Sequence, residues 1–182
     1  MDIQCNKVSI RPWKNSDKES LQRHANNGKI WLNLADAFPH PYGEQHAEIF
    51  LSMVQKQDPI TSWAICMGDQ AIGSVGINPK EDIYRKTAEF GYWLGEDYWG
   101  QGIMSEVVEK SVPYIFSNYN LLRLESPIFE WNKASMRVME KCGFAQEAIH
   151  KKAVTKDGVI ADLFYFARFN HDAVISTQER QA

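Results

Sequence analysis

The sequence predicts a single α/β domain, and three observations carry that expectation. Apolar spacing switches between period two and helical spacing along the chain, in the order β-α-α-β-β-β-α-β-α-β-β. Two glycine-containing dipeptides, Gly68-Asp69 and Asp157-Gly158 read in either order, sit between β-branched and aromatic runs and so mark hairpins. No linker, repeat or low-complexity segment divides the 182 residues, a length that suits one domain with a sizeable core, here taken as 1–182.

Each element follows from its own pattern. "VSIRPW" alternates as a first strand, and "SDKESLQRHANNGKIWLNL" is helical after a Ser16 or Asp17 cap, with Gly28 expected to interrupt it. "AFPHPYG" is a proline loop, and "EQHAEIFLSMVQKQ" regains helical spacing through Ala47, Phe50, Leu51 and Val54. "SWAICMGDQAIGSVGI" is a hairpin, and "RKTAEFGYWLG" a further strand. The next helix turns Val108, Val112, Ile115 and Phe116 to one side, and Pro113 is expected to kink it or end it early. "LLRLESPIF" is a strand, "NKASMRVMEKCG" a short helix closed by Gly143, and the remainder a hairpin with a tail, 170–182, expected to fray.

Composition narrows the function classes. Cys5, Cys66 and Cys142 are odd in number and show no CxxC spacing, which fits a reducing compartment and sets the cytoplasm as the expected location. "MDIQCNKVSIRPW" has no apolar signal core, and no run approaches the roughly eighteen apolar residues of a membrane span, so no membrane partner is expected. A net charge of −3 and the lack of a basic cluster with interleaved aromatics argue against nucleic acid as partner. The five histidines have no ligand spacing, and no metal is expected.

The segment "DYWGQGIMSEVVEK" places Gly100 and Gly102 directly before a helix. Unpaired N–H groups and the positive end of the helix dipole make such a junction suited to an anion. It matches neither the P-loop pattern nor Gly-x-Gly-x-x-Gly, whose last position falls on Ser105. A plain loop remains the other reading. The turn lies where a strand ends and a helix begins, which favours a binding site.

"TAEFGYWL" at 87–94, "WGQGIMS" at 99–105 and "NKASMRVMEKCGF" at 132–144 together resemble the GCN5-related N-acetyltransferase (GNAT) superfamily, in its ribosomal-protein N-terminal acetyltransferase branch. "AFPHPYGEQHA" and "DGVIADLFYFAR" fit the same branch more loosely. The resemblance implies a mixed, mostly antiparallel, twisted sheet of about seven strands with helices on both faces, splayed between the fourth and fifth strands. It also implies acetyl-CoA as co-substrate and a monomer or homodimer. The family's Arg/Gln-x-x-Gly-x-Gly/Ala turn, which cradles the pyrophosphate of coenzyme A, falls on Trp99, Gly102 and Met104, with backbone donors from Gln101 through Ile103 to Ser105. Met104 departs from the pattern. Backbone near Trp93 and Leu94 is implied to pair with the pantetheine arm, and the Leu94 N–H to polarise the thioester carbonyl. Asn132 matches a coenzyme contact and reads equally as a helix cap.

The implied reaction is attack of a neutral amine on a thioester. An α-amine of pKa near ~8 loses about 1 kcal/mol to protonation at pH 7, whereas a lysine near ~10.4 loses roughly 4.6 kcal/mol. A protein N-terminus therefore asks little of a general base. Glu89 is implied as base, directly or through water, against a structural ion pair or backbone clasp, and Ser135 as donor to the leaving thiolate or as a helix-start hydrogen bond. The glutamate that serves as base in relatives falls on Val154. His40, Tyr42 and Trp31 are implied at the acceptor pocket, against plain packing. The expected acceptor is a protein N-terminus, ribosomal protein foremost. A polyamine or other small amine is the enzymatic alternative, and an acyl-CoA-binding sensor the non-enzymatic one.

Overall fold

The structure, a computed structural model, describes residues 1–171; of the tail expected to fray, residues 172–182 lie outside the described part. Asn170 is held, its N–H donating to the Leu122 carbonyl at 2.9 Å. The strands are β1 (Ile3–Gln4), β2 (Ser9–Arg11), β3 (Ser62–Met67), β4 (Gln70–Pro79), β5 (Thr87–Leu94), β6 (Arg123–Phe129), β7 (Ala145–Lys156) and β8 (Val159–Phe169). The helices are α1 (Lys18–Ala25), α2 (Gly28–Trp31), α3 (Glu44–Val54), α4 (Ile103–Asn118) and α5 (Lys133–Lys141). One eight-stranded sheet runs β1-β2-β3-β4-β5-β6-β8-β7, antiparallel at every pairing except the parallel β5–β6 step. The strand beyond the expected seven is the two-residue β1.

The period-two alternation of β3 explains how both faces of the sheet are covered. Trp63 and Ile65 join the buried cluster that includes Val108, Val112 and Ile115 of α4 and Met139 of α5. Ala64 and Cys66 join the opposite cluster, with Leu21 of α1 and Ala47, Leu51 and Val54 of α3. Both expected hairpins are present. Gly68 takes φ +57°, and Asp157 and Gly158 take φ +49° and +76°, the left-handed pair of a two-residue hairpin turn.

Two local expectations are corrected, and a third, the Asp17 cap, is met in position only. The break between α1 and α2 falls at Asn26 and Asn27, and Gly28 begins α2, because the Asn27 side chain accepts from Lys29 N and Ile30 N and so starts a new helix. Asp17 is the N-cap residue of α1 without a side-chain cap bond. Its carboxylate, 2% exposed, is taken by the Arg11 guanidinium at 2.7 and 2.8 Å and by Lys14 N at 2.8 Å. Finally, α4 continues through Pro113 to Asn118. Burial of Val107, Val108, Val112 and Ile115 outweighs the roughly 3 kcal/mol that an interior proline costs.

Candidate active site

The site originates in a failure of strand pairing. β5 and β6 pair only at Thr87, Ala88 and Glu89 with Arg123, Leu124 and Glu125, although both strands run on. On the other side β5 pairs with β4 along its whole length, and the bonds from Gly95 N to Ile72 O and from Lys80 N to Thr87 O fix the alternation. Odd-numbered residues of β5 face β4 with their backbone groups, and even-numbered ones face β6. The next rung between β5 and β6 requires the N–H of residue 127, and Pro127 has none. Proline in the middle of "RLESPIF" was the signal in the sequence for this splay.

Beyond the last rung the N–H groups of Tyr92 and Leu94 face a cleft of about 890 Å³ between the strands. The Leu94 carbonyl on that side is occupied, accepting from Trp99 Nε1 at 2.7 Å. Of the two backbone positions expected to meet the coenzyme, Leu94 presents its N–H to the cleft, whereas the backbone groups of Trp93 are spent on Ser74 of β4. Trp93 contributes its side chain, which lines the cleft and meets Phe38 edge-on at 6.1 Å.

The mouth of the cleft is the start of α4. Gly102 is its N-cap, in the left-handed region at φ +79°, and gives the first turn no side-chain partner. The first helical bond of the turn is Glu106 N to Gly102 O, so the N–H groups of Ile103, Met104 and Ser105 have no partner inside the helix. A Cβ on Gly102 would meet no atom of the described residues within 4 Å, so the space beside it is open. Gln101 lines the same wall, its amide donating to the Asp97 carbonyl at 3.1 Å. The Met104 side chain is turned into the core, 8% exposed, which leaves its N–H in the turn. Arg137 and Lys141 of α5 bring positive charge to this cleft. These features fit a diphosphate: uncapped donors, a dipole end and two cations.

At the inner end lies Glu89, at the last β5–β6 rung. Its nearest cation is committed elsewhere, since Lys80 pairs with Glu125. No hydrogen bond or ion pair reaches the Glu89 carboxylate from the described residues, which removes the structural ion pair as an account of it. Burial holds its carboxyl above the usual carboxylate range; Lys80 pulls it back and the charge of Glu125 adds to the rise. A half-buried, unpartnered carboxylate facing a cleft is suited to accept a proton.

Asn132 and Ser135 stand at the start of α5, both on the cleft. Asn132 Oδ1 accepts from Ser135 N at 3.1 Å, so the cap reading of Asn132 holds, and its NH2 group remains free to serve the cleft. Ser135 Oγ lies 2.9 Å from the Tyr92 hydroxyl. Val154 also lines the cleft. The carboxylates lining it are Glu89 and Asp36.

The three residues expected at the acceptor pocket separate. Trp31 and His40, with ring centroids 5.4 Å apart, line an outer cavity of about 570 Å³ that meets the cleft at Asp36 and Thr155. Tyr42 lies elsewhere, 3% exposed in the core and packed on Phe38 at 5.1 Å. Trp131 stacks on Phe129 at 4.9 Å. Cys142 is a buried thiol pushed up to about 11 by desolvation, hence no nucleophile.

Several cleft residues had escaped sequence reading. Asp36 and Lys156 lie in no motif, and Tyr92, Arg137 and Lys141 fall inside the quoted segments without being singled out there; only the fold brings the five to one cleft. Lys156 is 1% exposed, its ammonium 2.8 Å from Asp36 and 3.9 Å from the Trp31 ring centre. No group of three or more His, Cys, Asp or Glu among the described residues is arranged to hold a metal, and no helix among them is long and apolar enough to cross a membrane.

A split β5–β6 pair opening on an uncapped helix start, on a sheet of this order, defines the acetyltransferase class to which the sequence comparison also points: the description "Acetyltransferase (GNAT) domain" matches residues 7–145, and the chain belongs to the GNAT family. Among its relatives are the probable N-acetyltransferase YjcK of Bacillus subtilis (strain 168), 38% identical over 104 residues, and the ribosomal-protein-serine acetyltransferase of Escherichia coli (strain K12), 32% identical over 100 residues. Those matches cover 57% and 55% of this chain and 58% and 55% of the relatives, so the chain spans little more than half the length of the curated proteins it matches. A solved structure of RimL, described as a ribosomal L7/L12 alpha-N-protein acetyltransferase in complex with coenzyme A, has the same fold, with a TM-score of 0.81 at 23% identity over 93% of this chain and 98% of that one.

Proposed function

We propose that this protein transfers an acetyl group from acetyl-CoA to a primary amine by direct attack in a ternary complex, with the N-terminal α-amine of a protein, a ribosomal protein foremost, as acceptor. One observation carries the reading: an unpartnered, half-buried Glu89 and the open Leu94 N–H share a cleft with the uncapped start of α4. Each group then has a task. N–H groups from Gln101 to Ser105, with Arg137 and Lys141, hold the diphosphate. The open edge of β5 at Tyr92 and Leu94, with the Asn132 amide, holds the pantetheine arm as an added strand. Acetyl-CoA itself supplies the activated acyl carbon. The Leu94 N–H stabilises charge developing on the carbonyl oxygen, Glu89 accepts the amine proton directly or through water, and Ser135 faces the leaving sulfur.

Asp36 favours a second reading. Asp36 holds Lys156 through one oxygen, but its side chain is 76% exposed at the acceptor end of the cleft, and that exposed carboxylate suits a polyamine or other small cationic amine. The sensor reading turns on the two departures from the family pattern, Met104 and Val154; the Met104 side chain packs in the core and its N–H stays in the first turn of α4.

The deciding experiment is thiol release from acetyl-CoA with three acceptors: peptides with free Ser or Ala N-termini, the same peptides blocked but containing lysine, and spermidine. Selective turnover of free N-termini is expected. Turnover of spermidine alone moves the acceptor to small amines, and coenzyme binding without turnover of any amine overturns the enzymatic reading.

A further inference from the structure

Tyr92 of β5 and Ser135 of α5 reach across the cleft and bring their hydroxyl oxygens to 2.9 Å. Two hydroxyl protons serve this pair, and the bond between the oxygens uses one of them. The other has two destinations. If Ser135 donates to Tyr92, the Tyr92 proton goes to the Ser135 backbone carbonyl at 3.4 Å, a long contact. If Tyr92 donates to Ser135 Oγ, the spare proton belongs to Ser135, whose hydroxyl has no other partner among the described residues, and it is available to the cleft that both residues line. Ser135 cannot drift, because its own N–H is tied to Asn132 Oδ1 at 3.1 Å. Burial pushes the Tyr92 phenol well above its ordinary range, so it keeps its proton.

We propose that Tyr92 is a positioning residue: it donates to Ser135 Oγ and thereby commits the Ser135 proton to the sulfur that leaves the thioester. The proposal rests on the acetyl-transfer reading above. As the amine nitrogen bonds to the carbonyl carbon, the carbon–sulfur bond breaks and its electron pair stays on sulfur. Glu89 takes the amine proton, and the sulfur leaves as a thiolate accepting a hydrogen bond from Ser135. Neither hydroxyl gives up its proton. An aliphatic alcohol and a buried phenol are far weaker acids than a thiol of pKa about 8.5, so the pair works as two aligned O–H dipoles, each strengthening the other. A bond of this kind to an anion is worth about 10- to 100-fold in a rate or an equilibrium.

The test uses the whole protein and coenzyme A, with the bound thiol titrated by its thiolate absorbance across about pH 6 to 10. The bound thiol is expected to ionise about one unit below the free one. Tyr92→Phe and Ser135→Ala should each return it most of the way, and the double variant should go no further than Ser135→Ala. Affinity for a coenzyme analogue lacking the sulfur should be the same in all four proteins, and thermal melting confirms that the variants fold. With a turning-over amine, Tyr92→Phe should lower kcat about tenfold and leave the KM for acetyl-CoA unchanged. An unshifted thiol in the parent, an identical shift in Tyr92→Phe, or additive effects in the double variant overturns the proposal while leaving the acetyl-transfer reading intact. Failure of coenzyme A to bind sinks both.

Discussion

Trp99 Nε1 donates to the carbonyl of Leu94 at 2.7 Å, tying the glycine turn back to the last residue of β5. One bond thus links the two halves of the proposed coenzyme site, the strand edge that offers Leu94 N–H and the turn that offers the start of α4. Trp99→Phe keeps the ring and removes the donor. Loss of about 0.5–1.5 kcal/mol is expected to weaken coenzyme A binding roughly three- to tenfold by calorimetry. Unchanged affinity would mean that the turn holds its place without the indole.

Gly102 takes φ +79° beside open space, where a side chain would occupy the volume assigned to the diphosphate. Gly102→Val should abolish measurable coenzyme binding. The left-handed strain of about 1–3 kcal/mol should also lower Tm modestly, so circular dichroism must first show a folded variant. Retained binding in that folded variant would remove the turn from the site.

Glu89 gives a prediction with opposite signs for rate and stability. Its carboxyl is raised in the folded protein, chiefly by desolvation, so the native state holds a proton that the unfolded chain releases. Stability therefore falls as pH rises from the ordinary carboxylate range through the raised native value, and it stays lower at neutral pH. Glu89→Gln removes that ionisation. It should raise Tm at neutral pH, leave Tm little changed well below the carboxylate range, and slow acetyl transfer to an α-amine by about five- to tenfold, with a larger loss for a lysine acceptor. A lower Tm at neutral pH, or parental turnover, would contradict the assignment.

Pro127 withholds the rung that would zip β6 further along β5. Pro127→Ala supplies the missing N–H and should narrow the cleft. The expected result is an unchanged or higher Tm with coenzyme affinity reduced several-fold, and an unaltered affinity would show that the splay has another cause.

Far from the cleft, Asp17 binds Arg11 and the Lys14 amide while 2% exposed. Asp17→Ala leaves a partly buried guanidinium without its partner and should cost about 3–5 kcal/mol in denaturant melts. Coenzyme affinity, measured where the variant is folded, should not move.

Much of the architecture was readable because it is written locally. The hairpins at Gly68-Asp69 and Asp157-Gly158 and the apolar stripe of α4 depend on residues within a few positions of one another. Local rules failed where a neighbour outbid them: Asn27 displaced Gly28 as the break point by capping α2, Arg11 claimed the Asp17 carboxylate, and burial carried α4 on past Pro113 to Asn118. The glycine turn, Glu89, Ser135 and Asn132 were legible as motif positions. Tyr42 was not, since its place in "AFPHPYG" says nothing about whether the ring turns to the cleft or to the core.

By itself the sequence determined the order of elements, the turn before α4 and the family, because periodicity, glycine conformations and motif spacing are properties of short stretches of chain. Tertiary structure decided which groups are free. Glu89 is unpartnered only because Lys80 turns to Glu125, Leu94 offers its N–H only because β5 pairs with β4 on its odd residues, and Ser135 has a neighbour 43 positions away in Tyr92. Availability of a donor, an acceptor or a charge is set by what the rest of the fold has already claimed, and no local stretch of sequence carries that information.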